Sequence, residues 1–171
     1  SAALARAIPI GLIFAGDSKA AFDEGVKAAA LSHSDPVGYY AAGGLAAMIS
    51  CLAYGLTLPK ALERAETLLG KVHKTDPILS LLGAAEEQAN NHPAGKTGTW
   101  DHIDSIASLG SGENAEEALA IAVYCTLAID EPLDALIISA NHSGKSNTTA
   151  AITGALEGVR FGRSFIPSYW S

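Results

Sequence analysis

Apolar residues recur along this chain at helical spacing, and the runs are broken by glycine, proline and capping residues. Ala20 to Leu31 (AAFDEGVKAAAL) reads as one amphipathic helix. Asp35-Pro36 then looks like an N-cap followed by proline at the first helical position. The helix it opens is predicted to run to about Tyr54 and to stop near Gly55. Thr57 and Pro59 restart the chain for ALERAETLL, which ends at Gly70. Asp76-Pro77 opens the next helix, which continues through Glu86 and Glu87 to about Asn90. Residues 90–99 (NNHPAGKTGT) form the one clear loop. A short helix from Trp100 to Leu109 is closed by Gly110. Asn114 is predicted to cap a helix with Glu116 and Glu117 in its first turn, where the helix dipole favours acids. Asp130 and Pro132 restart LDALIISA, and a last helix begins near Ser146 and ends by Gly162. No segment shows convincing strand alternation. The apolar run IPIGLIF (residues 8–14) has the length of a strand, but no obvious partner. The pattern predicts an all-α fold, one domain over 1–171, with short connections, no repeats and closely packed helices rich in Ala and Gly.

Composition narrows the class. The 171 residues are 49% hydrophobic and only 17% charged, enough for one domain with a real core and against a disordered chain. The net charge of −7 argues against nucleic-acid binding, which needs a basic face. Cys51 and Cys125 lie in apolar runs, so they read as buried reduced thiols in a cytoplasmic protein. Val37 to Leu58 carries no charge and is long enough to cross a bilayer. Its Ala, Gly, Ser, Thr and Tyr content makes insertion weak, so a buried central helix is expected in place of a membrane span. The first residues, SAALARAIPIG, lack a signal-peptide pattern and read like the inside of an element, which suggests a fragment or a processed product.

Three local sequences carry candidate chemistry. Leu31-Ser32-His33-Ser34-Asp35-Pro36 places a histidine at a helix junction, where it serves either as a structural hydrogen-bonder or as a ligand contact. Leu109-Gly110-Ser111-Gly112-Glu113-Asn114 leads into AEEALAI; its glycines let backbone approach a ligand, or simply end one helix and start another. Ala140-Asn141-His142-Ser143-Gly144-Lys145-Ser146-Asn147-Thr148-Thr149 is a polar loop feeding a helix N-terminus, a natural place for an anion or a bound ion.

In this order, the three resemble the ADP-ribosylglycohydrolase family of the dinitrogenase-reductase-activating type. The third is the most specific: members commonly read A-N-H-S-G-D-S-D-S-T-x-A-I-T-G, and this chain reads ANHSGKSNTTAAITG. The second resembles L-G-x-G-W-x-x-E-E-A-L-A-I, and the first resembles T-H-x-x-P, with Ser32-His33 in place of Thr-His. Arg6-x-x-Pro9 is similar to the family's M-R-x-x-P. The resemblance covers nearly the whole chain, and corresponds to the C-terminal half of a usual member. It implies an all-α scaffold that removes ADP-ribose from modified side chains with two Mg²⁺ ions. By the resemblance, His33 contacts a phosphate or ribose, Gly112 and Glu113 lie near the adenosine, and Lys145, Asn147 and Thr148 mark the metal site.

The departures weigh against that chemistry. The family's N-terminal Thr/Ser-Asp-Asp ligand motif is absent, and Lys145 and Asn147 replace two metal-binding carboxylates; only Thr148 keeps a matching oxygen. The local formal charge goes from −2 to +1. At about 4 Å and an effective dielectric of about 20, each unit charge is worth roughly 4 kcal/mol against a second cation. Lys145 either swings to solvent or fills the vacated position as a fixed point charge. Glu113 stands where the family usually has Trp, which removes a stacking surface. The expectation is therefore an impaired or inactive member with a degenerate metal site and no cofactor of its own. ADP-ribose or an ADP-ribosylated protein is its ligand class, and self-association or a protein partner covers exposed apolar faces. The alternatives are a non-catalytic binding module of the inhibitor or immunity type, and an enzyme completed by a second chain.

Overall fold

The computed structural model describes residues 2–92 and 99–170. Among them the chain forms nine α-helices and no strand. These are α1 (Ala2–Ile13), α2 (Ser18–Ala30), α3 (Pro36–Ala53), α4 (Leu58–Leu69), α5 (Asp76–Asn91), α6 (Thr99–Leu109), α7 (Ala115–Ala128), α8 (Pro132–Ala140) and α9 (Ser146–Phe161). A 3-10 turn, Ser168–Trp170, follows. The all-α expectation holds. Most of the predicted loop at 90–99 lies outside the described residues.

The core is organised around α3. Asp35 starts it by accepting the Val37 N–H at 3.3 Å, with Pro36 at the first helical position. It ends at Tyr54 before Gly55, whose φ of +96° suits glycine. The helix is long and apolar enough to cross a membrane, and every residue from Ala41 to Leu52 is buried. Helices α1, α2, α4, α7 and α9 pack around it. Small residues allow this: a Cβ on Gly43 would meet Val26 Cγ2 at 2.6 Å and the Phe22 carbonyl oxygen at 2.9 Å. The backbones of α2 and α3 therefore approach more closely than any other residue would permit.

The run IPIGLIF, whose length also suited a strand, is helical through Ile13, in keeping with the all-α expectation. Pro9 removes one backbone donor from α1. The helix is kept by packing: Gly11 seats on Ile49 and Ala46 of α3, and Ala3, Leu4 and Ala7 are buried. One correction concerns Asn114, which occupies the N-cap position of α7 but makes no side-chain cap. Its amide donates to Glu117 Oε1 at 3.2 Å instead.

Helix direction decides where the loops go. Arg6 of α1 reaches Ser32 just before α3, while Ser50 near the end of α3 donates to the carbonyl of Phe14 just past α1. These two helices therefore run parallel. At the far end, Arg160 of α9 donates to the Thr126 carbonyl of α7 at 3.4 Å, and both border a cavity with Leu52 of α3. At the near end, the Lys145 N–H donates to the Ser111 carbonyl at 2.8 Å. Helices α3, α7 and α9 thus begin at one pole, and that pole gathers residues 31–36, 109–114 and 140–148.

Candidate functional site

The first part of the pole is a relay from α1. Arg6 Nη1 donates to Ser32 Oγ at 2.8 Å, and Ser32 Oγ lies 2.8 Å from His33 Nδ1. The Ser32 hydroxyl accepts from the guanidinium, lies 3.5 Å from the Ala29 carbonyl oxygen, and pairs with Nδ1 of the half-buried His33 ring, which leaves Nε2 outside this relay. Arg6 and His33, drawn from separate parts of the chain, are one unit.

The second and third parts are joined backbone to backbone. Besides the Lys145 N–H to Ser111 bond, Gly144 sits so close that a Cβ on it would come within 1.8 Å of the Ser111 carbonyl oxygen. Gly112, at φ +77°, packs against Thr149, Lys145 and His142. A side chain cannot fit at Gly144 and would be strained at Gly112.

Two residues that the motifs contain, Glu117, expected only as a first-turn acid, and His142, to which the sequence reading gave no role, shape these loops. Glu117 Oε2 accepts from the Ser111 N–H at 3.1 Å, the Ser111 hydroxyl at 3.1 Å and the Gly112 N–H at 3.0 Å. Burial pushes this carboxyl up, but the hydrogen bonds from Ser111, Asn114 and Gly112 outweigh it and hold it below its ordinary value. Its position in the first turn of α7 was legible; the turn folding back over it was not. His142 is the other. Its Nδ1 accepts the Gly144 N–H at 3.2 Å, and its Nε2 donates to Thr149 Oγ1 at 2.8 Å. Thr149 is fully buried and passes its own proton to the Ser139 carbonyl at 2.8 Å. Burial keeps the His142 imidazole below its usual range, which suits this neutral, accepting role.

Lys145 occupies the N-cap position of α9, where a short polar side chain is usual, and makes no cap. Its ammonium lies 3.5 Å from Glu113 Oε2, and both side chains are about half exposed. The structure thus joins two of the predicted site residues by an ion pair. Asn147 is exposed and Thr148 half-buried on the first turn of α9, with the Thr148 N–H donating to the Lys145 carbonyl.

This donor set does not fit Mg²⁺. The loop offers an ammonium, an amide and a hydroxyl, and the nearby Glu113 carboxylate already faces the ammonium. Among the described residues there is no group of three or more His, Cys, Asp or Glu able to hold a metal ion. The pole also carries Arg6 and Lys145 against Asp35, Glu113, Glu116 and Glu117, so its side-chain charges are mixed.

An all-helical scaffold with these junction loops at one pole defines a glycohydrolase-type helical domain. The family model described as ADP-ribosylglycohydrolase matches residues 1–171, and the chain belongs to that family. No curated protein matches the chain.

Proposed function

We propose that this chain is an ADP-ribosylglycohydrolase-fold protein that binds an ADP-ribose-type ligand without divalent-ion hydrolysis. The observation that carries this reading is the Lys145–Glu113 pair. A cation tethered to the start of α9 stands in the segment where the family resemblance expects carboxylates. Mg²⁺ held there would meet like charge and too few anionic oxygens to offset its dehydration. The recognition elements in this reading are the His33 imidazole, held through Nδ1 by Ser32, and the backbone of the Gly112 loop at the start of α7. An exposed ion pair is worth about 0–1 kcal/mol, so Lys145 exchanges Glu113 for a ligand phosphate at little cost.

The test is calorimetric titration with ADP-ribose, with and without Mg²⁺, beside an assay for ADP-ribose release from a modified protein. Binding indifferent to Mg²⁺ with no release is expected. Mg²⁺-dependent turnover that disappears in Thr148→Ala would overturn the reading, as would the absence of any binding.

A second reading is a protein-binding module that blocks a partner without chemistry. The exposed Tyr169 and Trp170, stacked edge to face with ring centroids 6.2 Å apart, favour it, because such pairs anchor protein contacts. Self-association through these or other exposed apolar residues belongs to the same reading. A reducing, cytoplasmic setting suits the two free buried cysteines.

A further inference from the structure

A cleft of about 500 Å³ opens at the opposite pole, between the start of α2, the end of α3 and the face of α4. That volume is in the range of small-molecule sites. Cys51 lies on its wall, and Ser18, Tyr54, Lys60, Glu63 and Arg64 border it. We propose that this cleft binds a small phosphomonoester carrying a planar ring, with the phosphate on Lys60 and Arg64 and the ring on Tyr54.

The cations make the first half of the argument. Lys60 and Arg64 are one turn apart on α4 and line the same cleft, so they repel each other. Neither forms an ion pair among the described residues, as is also true of Arg6, Lys71, Lys74 and Arg163, but only Lys60 and Arg64 share a cleft wall. Glu63 offsets one of the two charges, which leaves the cleft with a formal excess of +1 in a chain of net charge −7. Arg64 is also oriented. Its Nε donates to Ser18 Oγ at 2.9 Å, and Ser18 is buried, so the guanidinium plane is fixed and its two terminal nitrogens remain for a bidentate oxyanion. Lysine supplies the second contact as a point charge.

The ring platform makes the second half. Tyr54 is 71% exposed, unusual for so large an apolar side chain. Its ring is nonetheless fixed, because it lies against Gly16, where a Cβ would come within 2.8 Å of the ring. Backbone behind and solvent in front make a flat surface on which a planar ring stacks. The span of α3 separates this cleft from His33, about 25 Å along the axis at 1.5 Å per residue, so the two sites are independent.

The test is titration of the whole chain with phenyl phosphate at low salt, followed by calorimetry or by amide shifts, with inorganic phosphate and phenol alongside. Phenyl phosphate is expected to bind more tightly than either. Arg64→Gln should weaken it at least tenfold and Lys60→Gln several-fold, while Tyr54→Ala should remove the advantage over inorganic phosphate. His33→Ala should change nothing. Lys60 is exposed, so its variant keeps the test decisive if loss of the Arg64–Ser18 bond harms folding. No saturable binding of phenyl phosphate, an unchanged affinity in Lys60→Gln, or a loss confined to His33→Ala would each overturn the proposal.

Discussion

Lys145 Nζ lies 3.5 Å from Glu113 Oε2 and ties the start of α9 to the loop before α7. One partner stands where the family resemblance expects a metal-binding carboxylate, the other where it expects a tryptophan. Each departure taken alone is a loss; together they put a cation and its counter-charge in one place.

Reversing that cation should change what the loop attracts. In Lys145→Asp with Asn147→Asp, two new carboxylates join Glu113 at the start of α9. Titration with Mn²⁺, followed by its relaxation effect on water, should show binding absent from the unaltered chain. Release of ADP-ribose should not follow, because the family's other ligand motif is absent from this sequence. The single change Lys145→Ala should move stability by less than about 1 kcal/mol, as expected of an exposed pair. A large loss of stability in that variant would show the pair to be structural.

Glu117 should matter more to folding than to ligand contact. Its carboxylate holds three donors of residues 111 and 112, so Glu117→Ala should cost about 2 kcal/mol in chemical denaturation, as expected for hydrogen bonds to a charged acceptor. Its folded pKa is depressed, so its contribution is present above the ordinary carboxylate range and fades as pH falls through the folded value. The variant's deficit should therefore shrink in acid. A deficit independent of pH would assign the loss to packing.

Glu157 works in the opposite sense. It is fully buried, one oxygen accepts from Arg160 at 2.9 Å, and the other has no partner among the described residues. Burial raises its pKa to about 7, against the pull of Arg160. An acid with a raised folded pKa stabilises most below its unfolded value and loses that contribution as pH rises through 7. Across 4.5 to 7 the loss is at most about 3 kcal/mol. Melting temperature should fall over that interval, and Glu157→Gln should flatten the fall. An unchanged slope would place the titration elsewhere.

Gly144→Ala tests the junction of the two loops. With 1.8 Å to the Ser111 carbonyl, the added methyl forces the backbones apart and breaks the Lys145 N–H bond. About 2 kcal/mol of stability should go, within the usual cost of overpacking, together with most ADP-ribose affinity. A variant that keeps both would mean that the loops part easily.

Much of this was legible in the sequence because its signals are local. Asp35-Pro36, Gly55, Gly110 and Gly162 mark helix ends by backbone chemistry, and the structure places ends there. The run at residues 8–14 was ambiguous because its five hydrophobic residues, set around Pro9 and Gly11, fit either period; packing of Gly11 on α3 decided it. Asn114 misled because a capping residue type says nothing of a rival acceptor three residues on. Of the candidate site, His33, Gly112 and Lys145 were visible through motif order. The relay from Arg6, the fold of residues 110–114 over Glu117 and the pairing of Lys145 with Glu113 were not. Each depends on segments far apart in the chain, or on a turn whose path no single residue dictates.

The seam between Gly144 and Ser111 also bears on rate. Two loops locked through their backbones cannot open like jaws to admit a ligand. What remains free to move is the exposed Lys145 side chain, whose rotamers interchange in picoseconds to nanoseconds, far faster than a loop rearranges. Under the proposed function, a ligand would then meet this seam already in its final shape, and the time it stays would be set by the contacts it makes there.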